Sequence, residues 1–317
     1  MSISKLGVVG GGQMGAGIAE VAARGGTDVL VMEVNAELAE RSLERVTRSL
    51  DKAVDRGKLD GAERDATLAR ISFTTDLADF ADRDLAVEAV TENESLKLDI
   101  FRSLDAVMPE GAVLASNTSS IPITRLAAST SRPESVIGMH FFNPVPVMAL
   151  MELVTTVRTD PNVASRAETY AQETLAKTVI RAKDRGGFVV NMLLVPYLLG
   201  GIRMYEAGVA SREDIDAGMR LGANHPMGPL ELSDFIGLDT MKLVADVLFD
   251  EFKEPLYASP PLLTRMVEAG LLGRKTGRGF YEYENQHPLS PRSDRGDRPA
   301  PGGPGAYSRA KRARRST

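Results

Sequence analysis

Gly10-Gly-Gly12-Gln-Met-Gly15 is the stretch on which the fold turns. The apolar run Ile3–Val9 leads into it, and Ala16-Gly-Ile-Ala-Glu-Val-Ala-Ala follows at helical spacing. A second buried-strand pattern, Asp28-Val-Leu-Val-Met-Glu33, comes next. Strand, turn, helix and strand make a crossover unit, and crossover units imply a parallel sheet. In the pattern G-x-G-x-x-G, Gly10 makes the tight turn, Gly12 lets the backbone approach a pyrophosphate, and Gly15 lets helix and strand pack closely. Gln13 and Met14 open the helix whose N-terminal N–H groups favour an anion. A glycine loop that only turns the chain would carry the same letters. Glu33 separates the two readings, because it ends the second strand eighteen residues after Gly15. An acid there accepts hydrogen bonds from both ribose hydroxyls of NAD and repels the 2′-phosphate of NADP, so NAD is the expected cofactor.

Outward from this unit, Asp84–Val90, Ala112–Ala115, Ser135–Met139, Leu150–Val157 and Thr178–Ala182 read as further strands. Helical patterns cover Asn35–Arg56, Gly61–Arg70, Leu96–Val107 and Asn162–Lys177. After Asp184 the period changes. Phe188–Ala207, Arg212–Leu221, Pro229–Ile236, Thr240–Phe252 and Pro261–Ala269 all read as helices, and a strand signal returns only at Phe280-Tyr-Glu-Tyr283. The expected architecture is an α/β Rossmann-type N-terminal domain with a mainly parallel sheet over residues 1–185, followed by an all-α C-terminal domain over 186–285. Residues 286–317 are Pro, Gly, Arg and Ser with few apolar residues. Such a segment cannot bury enough surface to offset its ordering entropy, so a disordered basic tail is expected.

The 317 residues carry a formal charge of −5. Gln286–Thr317 holds seven Arg and one Lys against two Asp, a net +6, so the body carries −11. An acidic body opposes nonspecific nucleic-acid binding, and no nucleic-acid partner is expected. The five basic residues within Arg309–Arg315 could touch anionic surfaces, but no aromatic interleaving beyond Tyr307 supports a nucleic-acid role. The absence of Cys excludes disulfides, thiolate metal sites and Cys nucleophiles, and no metal is expected. No apolar run approaches the ~18 residues that span a bilayer, and Met1-Ser-Ile-Ser-Lys-Leu-Gly lacks a signal-peptide pattern. No membrane partner and a cytoplasmic location are therefore expected.

Seven stretches carry a closer likeness. They are Val9–Gly15, Glu88-Ala-Val-Thr-Glu-Asn93, Ala115-Ser-Asn-Thr-Ser-Ser120, Gly138-Met-His-Phe-Phe-Asn-Pro-Val-Pro146, Asn224-His-Pro-Met-Gly-Pro229, Ile236-Gly-Leu-Asp239 and Gly273-Arg-Lys-Thr-Gly-Arg-Gly-Phe-Tyr281. In order and spacing, from about Leu6 to Tyr283, the chain resembles the L-3-hydroxyacyl-CoA dehydrogenase family, close to its bacterial 3-hydroxybutyryl-CoA dehydrogenases. That resemblance implies reversible hydride transfer between C3 of an (S)-3-hydroxyacyl-CoA and NAD, an acyl-CoA substrate, a place in fatty acid metabolism, and a homodimer formed through the helical domain.

Hydride removal requires removal of the hydroxyl proton, and His is the side chain that titrates near neutral pH unperturbed. Of three His, His287 lies in the tail and His225 in the helical domain. That leaves His140, at the end of a strand where α/β sheets bind ligands. By the resemblance, Glu152 is its acid partner, and Ser119 and Asn191 hydrogen-bond the 3-oxygen. The resemblance further puts Asn117, Asn143, Glu92, Lys97 and Lys275 at the cofactor, and Ser49 and Arg56 at the CoA nucleotide. Three departures stand out: Gly186-Gly187 replaces a frequent Pro-Gly hinge, Met192 follows Asn191 where Arg is frequent, and Ala149 stands where Lys is frequent. Two other readings compete. One is the related group acting on free hydroxy acids such as gulonate or carnitine. The other is a dinucleotide-fold binding protein that has lost its chemistry.

Overall fold

The computed structural model describes residues 2–283, so the basic tail expected at 286–317 lies outside the described residues. Eight strands form one sheet: β1 (Lys5–Val9), β2 (Asp28–Met32), β3 (Ile71–Thr74), β4 (Leu85–Glu88), β5 (Val113–Ser116), β6 (Val136–Phe141), β7 (Leu150–Thr155) and β8 (Thr178–Lys183). Their order is β3-β2-β1-β4-β5-β6-β7-β8. Every pairing is parallel except β6 with β7. The chain winds outward in both directions from β1 and β4, and the crevice at such a switch point is where doubly wound sheets bind ligands.

Alternation along the strands sorts side chains to two faces. Leu6 and Val8, Leu85 and Val87, Ile137 and Met139, and Met151 and Leu153 share one buried cluster. Helices α1 (Gln13–Arg24), α2 (Ala36–Asp55) and α6 (Pro161–Thr169) contribute Ile18, Val46, Leu50 and Ala167 to it, and Leu68 of α3 (Gly61–Leu68) packs against it. Val9, Ala86, Leu114, Val136 and Val154 face the other way, onto Phe101 and Leu104 of α4 (Glu94–Val107) and Leu126 of α5 (Ile123–Ala128). His140 and Glu152 lie at the alternate positions of β6 and β7, on this second face.

The N-terminal helices start where side chains cap them. Asn35 Oδ1 accepts from Leu38 N at 2.9 Å, and Asn93 Oδ1 from Leu96 N at 3.0 Å. After β8 the chain is helical: α7 (Val190–Glu206), α8 (Arg212–Ala217), α9 (Pro229–Ile236), α10 (Leu238–Phe252) and α11 (Pro261–Glu268). They bury a separate core that includes Leu198, Leu199, Leu230, Met241 and Leu263.

Five local expectations change, the first being that the helix expected over Arg212–Leu221 ends at Ala217 with a π-type turn over Gly218–Gly222. The helix expected over Asn162–Lys177 ends at Thr169, and a wider π-type turn follows over Tyr170–Thr174. Phe280–Tyr283 takes part in one isolated bridge, Arg278 to Glu282. Its amides are taken by a side chain instead, because Phe280 N and Tyr281 N each donate to the Asp234 carboxylate at 2.9 Å. Strand β3 and helix α5 are additions, four and six residues long; β3 reads Ile-Ser-Phe-Thr, without the continuous apolar run that marks β4 and β5.

Candidate active site

The nucleotide turn follows β1. Gly10 has φ +93°, and a side chain there would crowd the Ala89 carbonyl at the end of β4. At Gly15 a Cβ would come within 1.8 Å of the Gly10 carbonyl oxygen, so only hydrogen lets α1 start this close to the strand. The N-cap of α1 is Gly12, with no side-chain cap. The first-turn N–H groups are thus left to a ligand, which fits an anionic pyrophosphate. Glu33, one residue past β2, accepts from Gly11 N at 2.6 Å. That brings the acid that would read a ribose against the turn that would hold the phosphates. Gln13 Nε2 donates to Asn143 Oδ1 at 3.0 Å, tying the turn to the loop after β6. Met14 packs partly buried against the first core cluster.

His140 and Glu152 are paired residues in the antiparallel β6–β7 register. Nδ1 of His140 is 2.7 Å from Glu152 Oε2. Glu152 is fully buried, and its other oxygen accepts from Val189 N and Val190 N at 3.0 and 2.9 Å. One carboxylate therefore holds the imidazole and also the start of α7, whose second residue is Asn191. A buried charge needs such partners, and three N–H donors supply them. Among the described residues, His140 Nε2 has no hydrogen-bond partner. The ring sits between Phe142 and Phe188, at centroid distances of 4.8 and 5.4 Å. Phe188 follows Gly186-Gly187 and has φ 50°, a left-handed conformation that costs a bulky residue about 1–2 kcal/mol. Met192 packs against the helical core, and Ala149 is exposed.

The Asn117–Ser120 turn leaves β5 beside this pair. Asn117 Oδ1 accepts from Phe141 N at 2.9 Å, so the turn is pinned to the residue after His140. Glu92 gathers the rest: Oε1 accepts from the Thr118 hydroxyl, from Ser119 N and Ser120 N at 3.2 Å, and from Ser120 Oγ at 2.7 Å. Burial pushes the Glu92 carboxyl up. Lys97 and the Thr118 and Ser120 hydroxyls outweigh that and hold it below the usual carboxylate range. Lys97 itself is 1% exposed, with Nζ 2.6 Å from Glu88 Oε1 and 3.2 Å from Glu92 Oε2. Its ammonium is enclosed by carboxylates, a position from which it acts on the turn through Glu92.

Ser49 lines a cleft of about 510 Å³ between α1, α2 and the Asn143–Pro146 loop, together with Gln13, Arg45, Arg48 and Lys52. Arg56 caps the C-terminus of α2 and is not among the residues lining this cleft. The basic residues that do line it escaped the sequence reading, although their i, i+3, i+7 spacing on α2 was a usable signal. Lys275 stands in the helical part, its ammonium 2.5 and 2.6 Å from the Asp239 carboxylate oxygens. Glu88 also went unnoticed. Its signal was an acid ending the apolar run Leu85-Ala-Val.

A Rossmann-type sheet with an uncapped glycine turn, a ribose-reading acid and a carboxylate-held imidazole at the strand ends is the framework of an NAD-dependent dehydrogenase. Residues 5–185 match the 3-hydroxyacyl-CoA dehydrogenase NAD binding domain, and residues 187–283 match the C-terminal domain of the same enzymes. The chain belongs to the 3-hydroxyacyl-CoA dehydrogenase family. It is 57% identical over 283 residues to a 3-hydroxybutyryl-CoA dehydrogenase of Mycobacterium tuberculosis, covering 89% of this chain and 99% of that one. The crystal structure of M. tuberculosis FadB2 superposes with a TM-score of 0.89 at 56% identity, covering 90% of this chain and 100% of that one. The (S)-3-hydroxybutyryl-CoA dehydrogenase PaaH1 of Ralstonia eutropha gives 0.86 at 45%, with the same coverage.

Proposed function

We propose that this chain interconverts (S)-3-hydroxybutyryl-CoA and its 3-keto product with NAD, using His140 as general base in oxidation and general acid in reduction. NAD, when bound, accepts the hydride that leaves C3. His140 Nε2 takes the hydroxyl proton as the C–O bond becomes a carbonyl, and afterwards releases that proton to solvent. The observation that carries this reading is the Glu152 contact to Nδ1. It fixes the tautomer so that Nε2 is the basic nitrogen, and it stabilises the imidazolium formed in the step. Ser119 and Asn191 hold the 3-oxygen, Ser119 from a turn fastened by Glu92 and Asn191 from a helix start fastened by Glu152. Phe142 and Phe188 pack against the imidazole ring and help fix its orientation.

The basic cleft favours a CoA thioester over gulonate or carnitine. Arg45, Arg48 and Lys52 place three cations at this cleft, a number matched to the several phosphates of a nucleotide tail rather than to the single carboxylate of a small free acid. The same reading has Glu33, Gln13, Asn143, Asn117, Glu92 and Lys275 serving the cofactor, Lys97 only through Glu92, and Ser49 the CoA end, with Arg56 outside the cleft that Ser49 lines. It also places the chain in the cytoplasm, in fatty acid metabolism, as a homodimer. Support for the dimer is the apolar surface on and around α7, where Leu193 and Met204 are 72% and 45% exposed and Phe235 is 48% exposed.

The test is NADH formation with (S)-3-hydroxybutyryl-CoA, free carnitine and gulonate. The expected outcome is turnover of the thioester alone, with kcat/KM falling as the acyl chain lengthens from C4 to C16. Turnover of the free acids alone would replace this function with the other.

A further inference from the structure

Glu88 ends β4 with no exposed surface and no contact assigned to cofactor or substrate. Both its oxygens are nonetheless committed. Oε1 accepts from Lys97 Nζ at 2.6 Å and from Val90 N at 2.7 Å, and Oε2 accepts from Ser116 Oγ at 2.6 Å. Two paths lead from here to one place. Ser116 Oγ accepts from Thr118 N at 3.1 Å. Lys97 sits between Glu88 and Glu92, and Glu92 takes the amides of Ser119 and Ser120. The Glu88 backbone carbonyl adds a third tie, accepting from Asn117 N at 2.9 Å, and Asn117 in turn holds Phe141 beside His140.

The charges explain why a carboxylate stands here. Burying Lys97 against Glu88 gains little net stability, since desolvating both ions offsets most of their attraction, and an apolar pair of equal volume would serve the fold as well. What the ion pair does provide is a division of Lys97 between two carboxylates. With Glu88 holding the ammonium at 2.6 Å, Glu92 keeps it at 3.2 Å and leaves its other oxygen to the turn. Without the Glu88 charge, Lys97 would draw Glu92 toward itself and away from Ser119 and Ser120.

We propose that Glu88 is a positioning residue for the reaction, setting the place of Ser119 through Ser116 on one side and through Lys97 and Glu92 on the other. This rests on the role given to Ser119 above.

The test is a double-mutant cycle of Glu88→Gln with Ser119→Ala, read as kcat and KM for 3-hydroxybutyryl-CoA. Amide hydrogen exchange over residues 117–120 of the unliganded protein is read alongside. Gln keeps the shape of Glu88 and removes its charge. A misplacement of about 1 Å costs on the order of 10²-fold, so Glu88→Gln should lower kcat by about that factor with KM for the thioester within about threefold. In the Ser119→Ala background the further loss should be under about threefold, because residues acting through one another are non-additive. Exchange at Ser119 and Ser120 should quicken by at least about tenfold. Losses that multiply across the cycle, or unchanged exchange, would overturn the proposal. If Glu88→Gln does not fold, Ser116→Ala, which removes one path only, enters the same cycle with the same two outcomes. Wild-type turnover is measured first. Its absence is a failure of the proposed function, and the exchange readout then decides alone whether Glu88 fixes the turn.

Discussion

Glu152 faces His140 directly across the antiparallel pairing of β6 with β7, and its carboxylate reaches the imidazole at 2.7 Å while also accepting from the first amides of α7. Directly opposed residues in an antiparallel pair share a face of the sheet, so the reversal of one strand is what brings acid and base together. The helical part begins on the same carboxylate.

That double duty separates two substitutions. Glu152→Ala strands the buried His140 Nδ1 and two part-buried backbone N–H donors, and an unsatisfied buried group costs ~1–3 kcal/mol. A large fall in melting temperature is expected along with lost turnover. Glu152→Gln keeps one acceptor oxygen and should fold, yet its amide cannot stabilise an imidazolium. A loss in kcat on the order of 10²-fold or more is expected, by analogy with weakening a triad acid. Thermal melts beside initial rates check both, and a Gln variant with wild-type kcat would remove the acid from the mechanism.

On the proposed reading, Glu33 sets the choice between NAD and NADP. Its carboxylate lies on the glycine turn, at 2.6 Å from Gly11 N. Replacing it with Ser removes both a ribose acceptor and the repulsion toward a 2′-phosphate. The KM for NAD should rise about tenfold, one charge-assisted hydrogen bond being worth ~1.5–3 kcal/mol, and NADP should become usable. Unchanged preference in paired kcat/KM measurements would move the discrimination elsewhere.

Glu20 on α1 carries a pH signature. Burial pushes its carboxyl above the ordinary 4.5, opposed by the Ser49 hydroxyl and by Arg24 and Lys177. The unfolded chain ionises this group first, so its stability contribution declines as pH rises from 4.5 through the higher folded value. Glu20→Gln should therefore melt higher at pH 7, by about 2–4 °C if ~1 kcal/mol is recovered, with the difference closing as pH falls to 4.5. A variant less stable than wild type at pH 7 would show that ionised Glu20 supports the fold.

What the sequence revealed, and what it hid, follows from range. Gly10, Gly15 and Glu33 act within one crossover unit, so their spacing along the chain already encodes their geometry. The short apolar runs at Leu85-Ala-Val and Val136-Ile likewise mark strands buried on both faces, as a parallel sheet covered by helices requires. The β6–β7 reversal is a different matter, because no local pattern distinguishes an antiparallel pairing inside an α/β sheet. The pairing of His140 with Glu152 was therefore reached through family likeness, and the register supplies its physical cause. Glu88 reads as one residue within the core strand Asp84–Val90, since its partners Lys97 and Ser116 lie nine and 28 positions away. Phe280–Tyr283 read as a strand because its letters alternate, while the Asp234 carboxylate, 46 residues upstream of Phe280, takes its amides.

The most direct test of the His140 mechanism is the rate of NADH formation from (S)-3-hydroxybutyryl-CoA at saturating NAD, for wild type and His140→Ala side by side. The expected result is turnover by wild type and a kcat lower by ~10²–10⁴-fold in the variant, the usual contribution of a general base. A variant within about threefold of wild type, far short of that range, would contradict His140 as the base.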